Sequence, residues 1–125
     1  MRMERREYNA LGSVDISPKA VAIIASVTTG AVPGVAALGA TLSETAAKRL
    51  GHASPAQGVE LICHDDAVEL TIRLLVKYGW RIPDVALEVQ KSVKDAVESL
   101  TGYDVLAVHI LVQDIVYPAP KEEKP

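Results

Sequence analysis

From Val68 to Tyr78 every second residue is apolar or aromatic: Val68, Leu70, Ile72, Leu74, Val76 and Tyr78, with Glu69, Thr71, Arg73, Leu75 and Lys77 between them. Successive side chains of a strand point to opposite faces, so this pattern predicts one long strand with a single face turned to a core. Just upstream, Val59, Leu61 and Cys63 alternate with Glu60, Ile62 and His64, and Asp65-Asp66 supplies a turn between the two runs. The pair is a β-hairpin. Burying each Val, Leu or Ile of the inner face is worth roughly 1.5–3 kcal/mol, so a one-residue slip is strongly opposed and the register is set by burial.

The period then lengthens. Pro83 opens a segment whose apolar positions, Val85, Val89, Val93, Ala96, Val97 and Leu100, form a helical stripe, and Gly102 ends it. Lys91 with Asp95 and Lys94 with Glu98 have the i,i+4 spacing of ion pairs on its outward side. Valine is a poor intrinsic helix former, so this helix depends on packing against the sheet. A last strand over 105–117 is expected to place Leu106, Val108, Ile110, Val112 and Val116 on the inner side.

Upstream, Leu11 to Ile16 reads as a short strand, and Ser17-Pro18 starts a helix that Gly30 closes. Val32-Pro33-Gly34 is a turn, Val35 to Thr41 a weak strand or a closely packed connection, and Ser43 to Gly51 a second, short helix. The fold class that satisfies this order is α+β in two layers: one mixed β-sheet of about four strands, with two main helices packed on one face. Residues 1–10 are expected to be a charged flexible arm, 11–117 a single domain, and 118–125 a disordered tail.

Bulk properties restrict the function. The chain has 125 residues, a formal charge of -3 and one cysteine, Cys63. A net negative charge disfavours nucleic acid as a partner, because such affinity comes largely from neutralised phosphates. The absence of a Gly-x-x-Gly loop removes the KH-type reading as well. An intrachain disulfide is impossible, which fits a reducing cytoplasmic setting. Residues 1–8 alternate Arg and Glu without an apolar run, unlike a signal peptide, and no apolar stretch reaches the ~20 residues of a membrane span. Direct membrane insertion is not expected.

Candidate chemistry is thin. His64, Asp65 and Asp66 contain metal-ligand types, but Asp-Asp between strands is what a turn requires. His52 and His109 lie on other elements, and no metal is expected. Cys63 belongs to the inward side of its strand and reads as a small buried hydrophobe, while His64 next to it points the other way. Ser17 and Ser43 are capping residues, and no Gly-x-Ser-x-Gly elbow is present. Gly34 and Gly39 have phosphate-loop spacing, but Ala40-Thr41 follows where Lys-Ser/Thr is needed. Neither catalytic residues nor a cofactor is expected, and the chain reads as a non-enzyme.

What stands out instead is the sheet face away from the helices. It is expected to carry Glu69, Thr71, Arg73, Leu75, Lys77, His109, Leu111 and Ile115, with Glu60, Ile62 and His64 beside them. Apolar residues gathered among both signs of charge mark a contact surface, and Leu111 and Ile115 are costly to expose without one.

The run Lys77-Tyr78-Gly79-Trp80-Arg81-Ile82-Pro83-Asp84-Val85-Ala86, the helix end Leu100-Thr101-Gly102, and the strand from Val108 to Ile115 together resemble the alkaline shock protein family. These are the bacterial envelope stress response proteins, found mainly in Gram-positive bacteria. Val14-Asp15-Ile16-Ser17-Pro18 and Val32-Pro33-Gly34-Val35 are similar to further landmarks of that family, so the resemblance spans residues 13–117. It departs mainly over 42–57. The resemblance implies a cytoplasmic, non-enzymatic protein that self-associates as a homo-oligomer. It also implies docking to a membrane-anchored partner at the inner surface of the membrane. The alternative function is a regulatory adaptor that binds a cytosolic metabolic enzyme.

Overall fold

A computed structural model describes residues 5–39 and 58–117. The elements in chain order are β1 (Arg5–Asn9), β2 (Gly12–Ile16), α1 (Pro18–Gly30), β3 (Val35–Leu38), β4 (Val59–His64), β5 (Ala67–Lys77), α2 (Ile82–Thr101) and β6 (Asp104–Val116). The short helix expected at Ser43–Gly51 and the tail expected from residue 118 lie outside the described residues.

β5 is the axis of the sheet. β4 pairs with it antiparallel over Ala67 to Ile72, and β3 pairs antiparallel over Leu74 to Val76. β3 and β4 therefore lie end to end along one edge of β5. Along its other edge runs β6, parallel, as a strand that returns through a helical crossover must be. The sheet is thus mixed, with α1 and α2 packed on one face, as the sequence predicts.

The hairpin turn works because Asp65 adopts a left-handed backbone with φ of 55°, a conformation that Asp tolerates better than most residues. The same turn is anchored to β6, where the Asp104 N–H donates to the Asp66 carbonyl at 3.1 Å. Ser17 caps α1 as expected, its hydroxyl accepting from the Ala20 N–H at 3.2 Å, with Pro18 in the first turn. In α2, Val85, Val89, Val93 and Val97 recur every four residues and are all buried, whereas Leu100 at the end of the expected stripe is exposed. Gly102 stops the helix in a left-handed conformation (φ 80°), its N–H donating to the Glu98 carbonyl. Thr101 completes that end: its hydroxyl donates to the Val97 carbonyl at 2.6 Å and accepts from the Tyr103 N–H at 3.1 Å. The core is the inner face of β5, Val68, Leu70, Ile72, Leu74 and Val76, closed over by the valines of α2 and by Val21 and Ala25 of α1.

Three expectations are corrected. Residues 5–9, read as part of a flexible arm, form β1 and pair antiparallel with β2 as a separate two-stranded ribbon. β6 carries two β-bulges, which skip Leu106 and Gln113 in the pairing with β5. Each bulge inverts the inside–outside alternation. Leu106 and Val116, expected inside, are therefore exposed, and Ile115, expected on the outer face, pairs with Val76 and packs against the core. Tyr78 is 72% exposed because β5 ends at Lys77 and its alternation ends there too.

Candidate functional site

The outer face of the sheet is organised by the diagonals of the β4–β5–β6 ladder. Glu69 is opposite Ile62 on β4 and Ala107 on β6, which puts His64 and His109 on its two diagonals. Both imidazoles turn toward its carboxylate. His109 Nε2 lies 2.6 Å from Glu69 Oε2, and His64 Nε2 lies 3.4 Å from Oε1. Hydrogen bonding to His109, reinforced by His64, holds the Glu69 carboxyl below its ordinary pKa despite partial desolvation. Among the described residues no three such side chains are arranged to hold a metal ion; the two rings converge on the carboxylate itself.

Two rows further along, beyond Thr71, Arg73 Nη1 meets Glu60 Oε1 at 2.6 Å across β4 and β5. The Arg73 stem and the Gln113 side chain cover Gly39, where an added Cβ would collide with the Gln113 amide. Small size at Gly39 is thus what lets Gln113 lie across the face. Between these two polar rows stand Ile62 and Leu111, 50% and 46% exposed. Thr71 and Leu75 are half-buried and Lys77 is exposed.

Of the residues expected on this surface, Glu69, Thr71, Arg73, Leu75, Lys77, His109 and Leu111 share the outer face, and Ile115 does not. The His64–Glu69–His109 row was missed by reading the histidines as scattered. Half of it is legible: a two-residue turn sets His64 against Ala67 and hence diagonal to Glu69. The other half requires knowing that β6 lies beside β5.

Cys63 is buried at 2% exposure, and burial pushes its thiol pKa up, which disfavours the thiolate a nucleophile needs. At the opposite end of the sheet, Val32-Pro33-Gly34 packs on Trp80 and Val85, beside an open hollow of about 360 Å³ lined by Pro33, Trp80, Asp84 and Glu88. Tyr78 and Tyr117 stack edge to face at 6.3 Å beside Ile115. Two stretches far apart in sequence, Val32 to Val35 and Tyr78 to Val85, are thereby one structural unit.

Comparison with known proteins places the chain among relatives. Residues 6–117 match the model of the alkaline shock protein family, which is described as having a cell envelope-related function. A Bacillus subtilis (strain 168) protein, YqhY, is 26% identical over 123 residues, covering 98% of this chain and 90% of its own length. The Streptococcus pyogenes serotype M6 protein Spy1535 is 34% identical over 116 residues, covering 92% and 86%. Among solved structures, MamM-CTD 215-293 aligns with a TM-score of 0.48 at 14% identity, covering 78% of this chain and 98% of that one, a partial likeness.

Proposed function

This chain belongs to the alkaline shock protein family, whose function is described as cell envelope-related, and from that premise we propose that it is a non-enzymatic envelope stress response protein. In this reading it works by self-association and by docking its outer sheet face on a membrane-associated partner. Among the described residues no helix is long and apolar enough to cross a membrane. The reading assigns attachment to the partner.

The observation that carries the reading is the outer face itself. Two rows of paired polar side chains, the Glu60–Arg73 ion pair and the His64–Glu69–His109 contacts, hold long side chains in fixed geometry on either side of exposed Ile62 and Leu111. An apolar centre among ordered polar groups is the anatomy of a protein contact surface. Prearranged side chains also lose less entropy on docking than free ones. The location proposed is the cytoplasmic side of the membrane.

Affinity capture of the tagged chain from its host, after separating membrane from soluble fractions, tests the reading. The expected result is recovery with a membrane protein, and loss of that protein when Arg73→Glu or Lys77→Glu is captured instead. Recovery from the soluble fraction with one enzyme in stoichiometric amount would replace this reading with the adaptor.

A further inference from the structure

β6 is the long edge of the sheet. It pairs with β5 on one side, and among the described residues no strand pairs with the other. An unpaired strand edge is a template for another strand, and folded proteins commonly block it. Here the block covers only the first part of β6. Glu98 accepts from the Val105 N–H at 3.0 Å, Lys94 donates to the Val105 carbonyl at 3.2 Å, and Gln90 donates to the Val108 carbonyl at 2.9 Å. These three residues form one stripe of α2 at a spacing of four. The next positions on that stripe toward the helix start are Ala86 and Ile82, which have no hydrogen-bonding side chain, and Ile82 is 38% exposed. The capping stops where the helix surface turns apolar.

The backbone beyond Val108 follows from alternation. Val108 turns its carbonyl outward to Gln90, so Ile110 and Val112, on the same phase of the strand, also direct their N–H and C=O groups away from β5. The bulge at Gln113 resets the phase; the outward Ile115 N–H is taken by the Asp114 carboxylate at 2.8 Å. The open part of the edge therefore centres on Leu111. The chain leaves and re-enters the described fold at Gly39 and Gly58, both on the far edge of β5.

We infer that this open half of β6 pairs antiparallel with β6 of a second copy of the chain, about a twofold axis at Leu111. Ile110 of each copy then exchanges both ladder hydrogen bonds with Val112 of the other. Leu111 meets its own counterpart as the intervening close pair, with Cα atoms about 4.5 Å apart. A second copy is the occupant because the arrangement is self-complementary: the two outward residues flank the axis symmetrically, and the exposed Leu111 is covered by itself. The two outer faces become one continuous surface, and the apolar Ala86–Ile82 ends of the α2 stripes border the seam. This inference rests on the self-association part of the proposed function and names its surface.

Sedimentation velocity of the full chain and three variants tests it. The native chain is expected to be a dimer. Leu111→Lys, at an exposed position, places like charges face to face and is expected to weaken the dimer roughly tenfold or more. Ile62→Lys, equally exposed but on β4, is expected to leave it intact. Leu111→Cys is expected to crosslink the dimer on mild oxidation, since the close pair lies within disulfide range and Cys63 is buried. A dimer that survives Leu111→Lys and fails to crosslink through Leu111→Cys would overturn the edge pairing while leaving self-association standing. A chain that stays monomeric up to high micromolar concentration would overturn both.

Discussion

His109 Nε2 sits 2.6 Å from Glu69 Oε2, joining β6 to β5 across the exposed face of the sheet. That contact lowers the Glu69 pKa, and on α2 the Lys94 ammonium, with the Val105 N–H, lowers that of Glu98. A carboxylate whose folded pKa is depressed stabilises the fold above its unfolded value, near pH ~4.3, and that stability is lost as pH falls through the folded value. The melting temperature should therefore drop on acidification below about pH 4.3. Circular-dichroism melts across acid pH should show a shallower drop for the Glu69→Gln/Glu98→Gln double variant than for the native chain. Equal slopes would mean that neither carboxylate contributes.

Thr29 and Thr101 are both buried, yet their hydroxyls differ. Among the described residues the Thr29 Oγ1 has no hydrogen-bond partner, while the Thr101 hydroxyl bridges the end of α2 to Tyr103. An unpaired buried hydroxyl costs about 1–3 kcal/mol, so Thr29→Val should stabilise the fold by about 1 kcal/mol. Thr101→Val should destabilise it by about 1–3 kcal/mol, because it leaves the Tyr103 N–H without the hydroxyl it donates to. Urea unfolding of the two variants measures both shifts. The same sign for both would contradict this account.

Gly34 and Gly79 both have positive φ, 96° and 99°. A Cβ at Gly34 would also lie 2.7 Å from Val85 Cγ2 and 2.9 Å from Trp80 Cε3, whereas one at Gly79 would meet nothing within 4 Å among the described residues. Gly79→Ala should cost only the backbone term of about 1–2 kcal/mol. Gly34→Ala adds overpacking of about 1–3 kcal/mol, so its unfolding midpoint should fall further. Equal losses would show that the contact with Trp80 and Val85 yields freely.

The hairpin and α2 were legible because burial imposes its own period: one face of β5 and one stripe of α2 carry the core, and the sequence repeats every two residues and every four accordingly. β1 was not legible, because Arg5 to Asn9 has no apolar alternation and becomes a strand only through pairing with β2. The parity of β6 was hidden for a different reason. Leu106 and Gln113 are ordinary strand residues whose bulges exist only relative to β5, so counting by twos assigned Leu106, Ile115 and Val116 to the wrong faces. On the candidate surface, the side chains of β5 and His64 were fixed by the hairpin register. His109 joined them only once the crossover placed β6 parallel to β5.

Fractionation of host membranes, with the chain quantified in each fraction, tests the central claim most directly. The native chain should sediment with membranes and be released by high salt without detergent, and Lys77→Glu should move it to the soluble fraction while its melting curve stays unchanged. A native chain that is wholly soluble, or one whose distribution ignores charge reversal at both Lys77 and Arg73, would contradict docking through the outer sheet face.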